Sequence, residues 1–415
     1  MSERTDQSAL SPENGQPSPV RRSAQRRFVA ATLIDALGSG LWMPFVLLFL
    51  VNAQDMPLTE AGAALSLGAL LGLAAGPLSG SLMDRLGAQR TLIASNVIRL
   101  GAFLCYPLVE TAWHVVAVSL VVSVGDRLFW TVNAPVVNAL TTEREADKLL
   151  GTQTIGRFVG AGIGAGATAL IPDLNSAATY HLLAYLNAAS FGVAALLLLN
   201  LHIPMDKQEG TGGSANAGWG AVLRDRTYVA FCVMSVLYTL ASIGKYSILP
   251  ILVLEFLHGP QWVPGVALGI GTLTLVSVQR LVTRVAAKHS RARGLVLAAV
   301  IFACSFCALT TVTVLPLSGA IAVILVVSVT FAVAEALFAP LLTAAAAAAA
   351  PAGAQGRASA LFQLSWAVSM VSGPVLLTSL LSVGNGALWL TLTVTSAAAV
   401  PAVLALRRRM TTVLG

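Results

Sequence analysis

Six ionisable side chains fall inside long apolar stretches of this chain: Asp35, Arg99, Asp126, Arg127, Lys245 and Glu335. Each stretch is long enough to cross a bilayer as a helix, and a charge at the bilayer centre costs about 2.5–3.5 kcal/mol on insertion scales. A carboxylate held between an apolar cavity and an arginine can gain and lose a proton as its surroundings change. We therefore expect the acids Asp35 and Glu335 to bind and release protons.

Depth along the apolar stretches indicates which of these charges can meet. At 1.5 Å of rise per residue, Asp35 and Arg127 lie at similar depths, so we expect them to pair or to share a hydrogen-bond network. Arg127 thereby joins Asp35 and Glu335 as a candidate for proton coupling. Lys245 lies farther toward the outer side of the membrane than Glu335, so a direct pair between them is not expected. The alternative is that Asp35 and Arg127 form a buried pair that only fixes helix register.

Three arginines are expected to have structural roles. We expect Arg99 to form a structural ion pair inside the protein. Arg157 and Arg280 lie close to the ends of apolar stretches, where long basic side chains extend toward the membrane surface.

Aromatic and polar side chains in the same stretches could form the wall of a cavity. An apolar wall with a few acids suits lipophilic or cationic compounds better than sugars, which need many amide and hydroxyl partners. Any single aromatic residue could instead pack in a core or anchor the chain at the membrane interface. The candidates for the cavity wall are Trp42, Asp126, Trp130, Tyr238, Lys245, Tyr246, Phe338, Gln363 and Trp366.

The composition identifies the elements that carry these residues as membrane helices. The chain is 56% hydrophobic and 10% charged, with a mean hydropathy of +0.79, which excludes a soluble globular domain. Its four cysteines lie in apolar runs and predict no disulfide framework, and the Cys304–Cys307 pair has no partner ligands for a metal. The sequence contains no Walker-type loop, so direct use of ATP is not predicted. A membrane-embedded enzyme is the rival class. It would need histidines or acids clustered on a loop for metal or acid–base chemistry, whereas the five histidines are scattered. We expect no cofactor, no metal and no enzymatic activity.

Apolar runs of about twenty residues predict an all-α membrane protein with twelve transmembrane helices in two pseudo-symmetric halves of six. The predicted spans are 28–51, 59–82, 91–109, 113–138, 151–172, 179–203, 228–256, 262–283, 294–315, 319–342, 358–381 and 385–406. The predicted domains are a disordered cytoplasmic tail (1–27), the first half (28–203), a cytoplasmic linker (204–227), the second half (228–406) and a cytoplasmic tail (407–415).

Basic residues outside the spans indicate the orientation. If the N-terminus is cytoplasmic, every lysine and arginine outside a span falls on the cytoplasmic side, while the opposite loops carry only acids such as Asp55, Glu110 and Asp173. Positive charge stays inside, so both termini are predicted to be cytoplasmic in the cell membrane. The net charge of +7 is therefore a signal of orientation and predicts no nucleic-acid partner. We expect a monomer in the lipid bilayer.

A short charged loop between the second and third predicted spans carries a specific motif. Its residues are Gly80, Asp84, Arg85, Gly87 and Arg90, in the spacing Gly-x-x-x-Asp-Arg-x-Gly-x-x-Arg. This spacing resembles the signature loop of the major facilitator superfamily, and departs from it at Ala88 and Gln89, where further basic residues are usual. The resemblance implies a conformational latch at this loop. It also implies that spans 1, 4, 7 and 10 line a central cavity and that spans 2, 5, 8 and 11 form the seam between the halves.

Two further patterns agree with that resemblance. Asp126-Arg-Leu-Phe in span 4 echoes Glu335-Ala-Leu-Phe in span 10, as expected of an internal repeat. Small residues recur every four positions on spans 2, 5, 8 and 11, including Gly156, Gly160 and Gly164 on span 5, which permits close helix approach.

The resulting interpretation is a proton-coupled exporter of small hydrophobic or cationic compounds that works by alternating access. It is similar to the bacterial twelve-helix drug/proton antiporter branch. The alternative is a proton-coupled importer of a small metabolite with the same fold.

Overall fold

Twelve long helices make up most of the molecule. The computed structural model describes residues 19–75, 82–83, 85–141, 143–171, 173, 176–199, 219–286, 288–351 and 354–414, and all regular secondary structure in them is helical. The twelve helices are α1 (Pro19–Trp42), α2 (Leu58–Leu73), α3 (Ala88–Leu104), α4 (Ala112–Leu140), α5 (Glu143–Ala167), α6 (Ala177–Leu199), α7 (Arg226–Ile251), α8 (Trp262–Ala286), α9 (Arg291–Leu309), α10 (Leu317–Ala349), α11 (Gln355–Val383) and α12 (Asn385–Arg409).

Most of these helices can cross a membrane by length and composition. In the described part of the chain nine qualify, and α1 becomes a tenth when joined to the helical segment Val46–Ala53, from which it is bent by 42°. The other two are α2, which is apolar but short, and α5, whose first turn has the charged sequence Glu143-Arg144-Glu145. The chain is therefore a multi-pass membrane protein. Its helices match the predicted twelve in number, while nine or ten meet the criteria for a span.

The first helix begins earlier than predicted. α1 starts at Pro19, so residues 19–27 are helical although the sequence predicted a disordered tail over 1–27. Proline suits the first turn of a helix because its missing N–H needs no partner there. The Gln25 Nε2 also donates to the Leu140 carbonyl at the end of α4, over 2.9 Å, which holds the added turns in place. Residues 1–18 lie outside the described residues.

The predicted linker over 204–227 is partly helical. A short helix covers Trp219–Arg224, and α7 begins at Arg226 rather than 228. Asp225 caps α7, because its Oδ1 accepts hydrogen bonds from the backbone N–H groups of Thr227 and Tyr228 at 3.0 Å each. Residues 201–218 lie outside the described residues.

Helix packing repeats itself six helices later. In the first half α1 packs on α5 and α6, α4 packs on α2 and α3, and α3 packs on α6. In the second half α7 packs on α11 and α12, α10 packs on α8 and α9, and α9 packs on α12. Every one of these first-half contacts thus recurs in the second half. The halves meet chiefly through α2 against α11 and α5 against α8. This is the two-half architecture that the sequence predicted.

The small-residue stripes mostly pack helices within one half. On α2, a Cβ at Gly68 would lie 2.6 Å from the Val116 carbonyl oxygen of α4, and on α5, Gly160 and Gly164 lie against the backbone of α1. The close approach that the stripes predict is therefore present, but for these glycines of α2 and α5 the neighbour is a helix of the same half. Spacing shows that a neighbour comes close but does not show which neighbour it is.

Other glycines do lie at the seam. On α8, Gly265 lies against the backbone of Ala169, and the Cα of Gly269 is close to Gly166 of α5. Gly162 of α5 lies against Thr272 of α8 in the same way. A Cβ would clash with the Ala169 backbone at Gly265 and with the Thr272 side chain at Gly162, so the two halves approach closely there.

A substitution at Gly164 is expected to separate α1 from α5. The added Cβ of Gly164→Ala would overlap the Leu37 carbonyl oxygen, so we expect a loss of about 1–3 kcal/mol in unfolding free energy. The control is Gly156→Ala, whose Cβ would lie 3.8 Å from Val29 Cγ1 and should raise the free energy of unfolding by up to about 1 kcal/mol, because alanine favours a helix more than glycine does. Thermal unfolding in detergent compares the two variants. Equal melting temperatures would contradict the assigned packing.

The halves touch near one end of the molecule. We call the face that holds residues 19–27 and the end of α12 the terminal face, and the opposite one, which holds the α1–α2 and α7–α8 connections, the loop face. Near the loop face, the Val375 N–H of α11 donates to the Ser66 Oγ of α2 over 3.0 Å. Closer to the terminal face, Ile155 continues the stripe of Gly162 and Gly166 on α5 but is 44% exposed. From this exposure we infer that the seam opens toward the terminal face.

Candidate functional site

A buried carboxylate on α1 is held by two arginines. Asp35 is 2% exposed, and Arg99 Nη1 of α3 lies 3.3 Å from each of its carboxylate oxygens. Arg157 Nη1 of α5 lies 3.7 Å from Asp35 Oδ2. The Ser39 Oγ, one turn along α1, donates to Asp35 Oδ1 over 3.4 Å. We call Asp35, Arg99, Arg157 and Asp126 the charged cluster.

Arg99 is fixed from several sides. It is 3% exposed, and its Nη2 donates to Asn96 Oδ1 over 3.1 Å. Its guanidinium lies over the rings of Phe129 and Phe191, at 5.3 and 4.4 Å from their centroids. A Cβ at Gly125 of α4 would lie 2.5 Å from Arg99 Cγ, so α4 passes the stem of the arginine only because a glycine is there.

Two members of the charged cluster, Asp126 and Arg157, have partly exposed side chains. Arg99 Nη1 also lies 3.5 Å from Asp126 Oδ1 of α4, and the Asp126 side chain is 46% exposed. The Arg157 side chain is 29% exposed and lies 5.1 Å from the ring centroid of Trp130, which is itself 54% exposed. The buried Asp35 is therefore linked through Arg99 and Arg157 to groups that water or a ligand can reach.

The predicted pairing of Asp35 with Arg127 is wrong. The ion-pair partners of Asp35 in the described residues are Arg99 and Arg157, and the Arg127 Nε has no hydrogen-bond partner. Adjacent residues point about 100° apart on a helix, so when Asp126 faces Arg99, Arg127 faces elsewhere. The expected ion pair of Arg99 is confirmed, whereas Arg157 joins the cluster rather than extending toward the membrane surface.

The second half carries a carboxylate with neutral partners. Glu335 of α10 is buried, and it accepts hydrogen bonds from Ser242 Oγ and Tyr246 Oη of α7, both at 2.7 Å. These two bonds tie α10 to α7. Lys245 is 1% exposed, and its Nζ has no hydrogen-bond partner in the described residues but lies 4.9 Å from the ring centroid of Phe331. As expected, no ion pair joins Lys245 to Glu335 within 4.0 Å in the part described.

The internal repeat assigns equivalent positions to the two halves. After α1 and α7 the chain makes a π-helical turn, Phe49–Ala53 and Leu252–Phe256, and the offset between the turns is 203 residues. The same offset relates Asp35 to Tyr238 and the Leu33 carbonyl to that of Val236. The first carbonyl is approached by Gly160 of α5, and the second accepts from Ser369 Oγ of α11 at 3.4 Å.

By this equivalence the second half has rings where the first half has charges. Trp366 precedes Ser369 by the three residues that separate Arg157 from Gly160, so it occupies the position of Arg157. The ring of Phe338 contacts Tyr238, Phe302 and Trp366, at centroid distances of 5.9, 5.6 and 6.1 Å. Phe338 thus replaces Phe129, with aromatic rings in place of Asp35, Arg99 and Arg157. Of the charged cluster, only Asp126 has an acidic counterpart, Glu335.

The structure separates the predicted cavity-wall residues into two groups. Trp42, Tyr238, Lys245 and Phe338 are buried inside their own halves. Trp42 packs on Tyr106 and Phe103, and Tyr238 Oη donates to the Leu295 carbonyl over 2.8 Å, so these two are packing residues here and not wall residues. The members that keep some exposure are Asp126, Trp130, Tyr246, Gln363 and Trp366.

The family to which this architecture belongs follows from comparison with known proteins. The family model described as Major Facilitator Superfamily matches residues 28–374 of the chain. The chain belongs to this superfamily. Its repeated helix packing and its seam through α2, α5, α8 and α11 are those expected of a member.

Two relatives by sequence are both named multidrug resistance protein MdtH. The chain is 24% identical over 264 residues to the multidrug resistance protein MdtH of Edwardsiella ictaluri (strain 93-146), covering 63% of this chain and 64% of the relative. It is 26% identical over 233 residues to MdtH of Aeromonas salmonicida (strain A449), covering 56% and 57%. The chain thus spans less than two thirds of the length of these relatives.

Solved structures share the fold. The nucleoside transporter NupG matches with a TM-score of 0.74 at 14% identity, over 92% of this chain and 98% of that chain. A POT family transporter in complex with 5-aminolevulinic acid matches with a TM-score of 0.75 at 13% identity, over 93% and 96%. At such identities the likeness extends to the fold alone.

Only part of the superfamily loop motif lies among the residues that the structure describes. Gly87 has a φ of 82°, a left-handed conformation that favours glycine, and it precedes α3. Arg85 and Arg90 are exposed, while Gly80 and Asp84 lie outside the described residues. Gln89, which departs from the family pattern, donates from Nε2 to the Leu198 carbonyl over 3.0 Å and so ties the loop to α6 of its own half.

One contact between the halves was not predicted from the sequence. Asn52 Nδ2 donates to Glu255 Oε1 over 2.8 Å at the loop face. The two residues occupy equivalent positions in the two π-helical turns, so the bond lies where the symmetry-related halves meet. Alignment of the two halves would have identified them as an equivalent pair. In the residues described, no group of three histidine, cysteine or acidic side chains could hold a metal.

Proposed function

We propose that this protein is a secondary active transporter that exports small hydrophobic or cationic compounds in exchange for protons. In this proposal it lies in the cytoplasmic membrane with both termini in the cytoplasm, so the terminal face is the cytoplasmic face. The conformation described here is then closed outside and open inside. Transport proceeds by alternating access without a cofactor or an enzymatic step, and the working unit is a monomer.

The observation that carries the proposal is the position of Asp35. Its carboxylate is buried, yet its partner Arg157 is partly exposed. A proton on Asp35 would remove the negative charge that holds both Arg99 and Arg157, and a buried charge without a partner is costly. Proton binding would therefore favour a conformation in which those arginines find water or other partners. A ligand shifts a conformational equilibrium through such a difference in interaction energy.

The path from the cluster to the seam is short. Arg157 lies on α5, and α5 is one of the helices that contacts the other half. Glu335 is the second candidate for proton coupling, because its hydrogen bonds to Ser242 and Tyr246 join α10 to α7. Loss of the negative charge would weaken these charge-assisted bonds.

The nature of the cargo follows from the exposed candidates. Trp130, Tyr246 and Trp366 offer ring surface, while Asp126 and Gln363 offer few polar contacts. Such a surface favours apolar molecules with one or two polar groups. The name of the sequence relatives, multidrug resistance protein, supports the same cargo class.

Transport in proteoliposomes tests the proposal. Vesicles carrying the purified protein are given a pH gradient and a panel of lipophilic cations and neutral hydrophobic compounds, with empty vesicles as the control. We expect cargo to move against the proton flux and to release protons measurably from the vesicles. Cargo that moves in the same direction as protons would support the importer alternative. Cargo movement without any linked proton flux would contradict the proposed coupling.

A further inference from the structure

A groove on the outside of the second half is lined by apolar residues and ends in two arginines. It runs between α9 and α12 with a volume of about 270 Å³. Both helices pack on partners within the second half, so the groove opens away from the first half and toward the surrounding membrane. The residues that define this α9–α12 groove are Ala292, Arg293, Val296, Leu297, Val300, Leu404 and Arg407.

The polar end of the groove is built from ordered structure. Arg293 lies in the first turn of α9 and Arg407 in the last turn of α12, so both stand at the terminal face. The chain then turns back into the short helix Thr411–Leu414, where Leu414 is buried. Arg291 Nη1 donates to the Val413 carbonyl over 3.1 Å and ties that helix to α9. The end of α12 is therefore anchored, and Arg407 has a defined position.

The charge around this end is of one sign. After Glu255 the only acidic residue in the sequence is Glu335, which is buried in α10. The basic residues beyond Glu255, all toward the terminal face, are Arg280, Arg284, Lys288, Arg291, Arg293, Arg357, Arg407, Arg408 and Arg409. From α8 onward the chain thus presents nine cations and no acid at that face, while Asp225 before it caps the start of α7. Such a surface attracts anionic lipid headgroups.

We propose that the α9–α12 groove binds an anionic phospholipid. The phosphate lies between Arg293 and Arg407, where guanidinium groups donate to its oxygens. One acyl chain follows the apolar wall of Val296, Val300 and Leu404 into the bilayer. This site is separate from the charged cluster and does not depend on the proposed transport activity.

Lipid titration of the delipidated protein in detergent, followed by native mass spectrometry, tests the site. We expect phosphatidylglycerol to bind with a stoichiometry of one at low concentration and phosphatidylcholine not to do so. In Arg293→Gln/Arg407→Gln the affinity for phosphatidylglycerol should fall about 30-fold, since each basic residue near a lipid surface contributes about 1 kcal/mol. The lack of any headgroup preference in the wild type would overturn the proposal.

The matched control removes the same charge beside the groove. Arg408 and Arg409 are exposed and do not line it, so Arg408→Gln/Arg409→Gln should weaken binding by no more than about threefold, as expected of screened charges. An equal loss in both double variants would mean diffuse attraction to the whole face and would overturn the groove as a site.

A third variant and a competitor test the acyl chain. Val300→Trp fills the groove without changing charge and should weaken phosphatidylglycerol binding, whereas the soluble headgroup glycerophosphoglycerol should not compete. Competition by the headgroup alone would identify a free-anion site instead. A photoreactive lipid applied to the wild type should label peptides of α9 and α12, a result that does not depend on any variant folding. Labelling confined to other helices would contradict the site.

Discussion

Replacing Asp35 with asparagine is expected to reduce proton-coupled efflux to the level of empty vesicles. The amide cannot carry a proton between the two sides, and it leaves Arg99 and Arg157 without their shared carboxylate. Breaking a buried ion pair by removing one partner costs about 3–5 kcal/mol, so the same substitution should also lower the melting temperature. A loss of transport alone would therefore not distinguish a proton site from a structural pair.

A second substitution separates the two effects. In Asp35→Asn/Arg99→Gln the buried guanidinium is removed together with the carboxylate, so most of the lost stability should return. Proton coupling should not return, because no titratable group stands at the position of Asp35. The measurements are thermal unfolding and cargo-induced proton release on the same preparations. Restored proton release in the double variant would show that Asp35 only balances Arg99, and the coupling site would then move to Glu335.

Cross-linking the halves at the loop face is expected to stop transport completely. Asn52 and Glu255 are joined across the halves by a hydrogen bond of 2.8 Å, so cysteines at these positions are within reach of a short bifunctional thiol reagent. A covalent bridge there would prevent the loop face from opening and hold the protein open at the terminal face. Transport should return when a reducible cross-linker is cleaved. Undiminished transport by the cross-linked protein would contradict an alternating opening at this face.

The control for this experiment places a bridge inside one half. Thr179 Oγ1 donates to the Asp173 carbonyl over 2.6 Å, so Asp173→Cys/Thr179→Cys can be linked at the same face without joining the halves. Transport should survive that link. The native cysteines Cys105, Cys232, Cys304 and Cys307 are free in the structure, so they are replaced in the background used for both pairs.

Hydropathy predicted the architecture well because each helix had to be apolar over a fixed length. The two-half organisation follows from the same counting. Depth along the helix predicted a charged partner for Asp35 but selected Arg127, which is not that partner. The direction in which each side chain points around the helix axis could not be predicted from the sequence. Asp126 and Arg127 are adjacent in sequence, and only the packing of α3 against α4 decides which of them meets Arg99.

The same limit explains the aromatic candidates. Trp42 and Trp130 look alike in sequence, yet Trp42 lies in a cluster of rings within the first half and Trp130 is 54% exposed. The contact of Asn52 with Glu255 joins residues 203 positions apart, and nothing in the two residue types predicts that they meet. What could have been predicted is the equivalence of positions in the two halves, from which the replacement of the charged cluster by Phe338, Trp366 and their neighbours follows.

The glycine contacts between α1 and α5 have a consequence for the rate of proton exchange. Gly40 lies against the backbone of Ala161, and Gly160 and Gly164 lie against that of Leu33 and Leu37, so α1 and α5 cannot slide or separate without losing close packing along their length. Asp35 and Arg157 are carried by these two helices and therefore travel together. If Asp35 exchanges protons as proposed, the exchange cannot depend on α1 sliding past α5. We therefore expect it to accompany motion of the whole half, on the microsecond-to-millisecond timescale of domain motions.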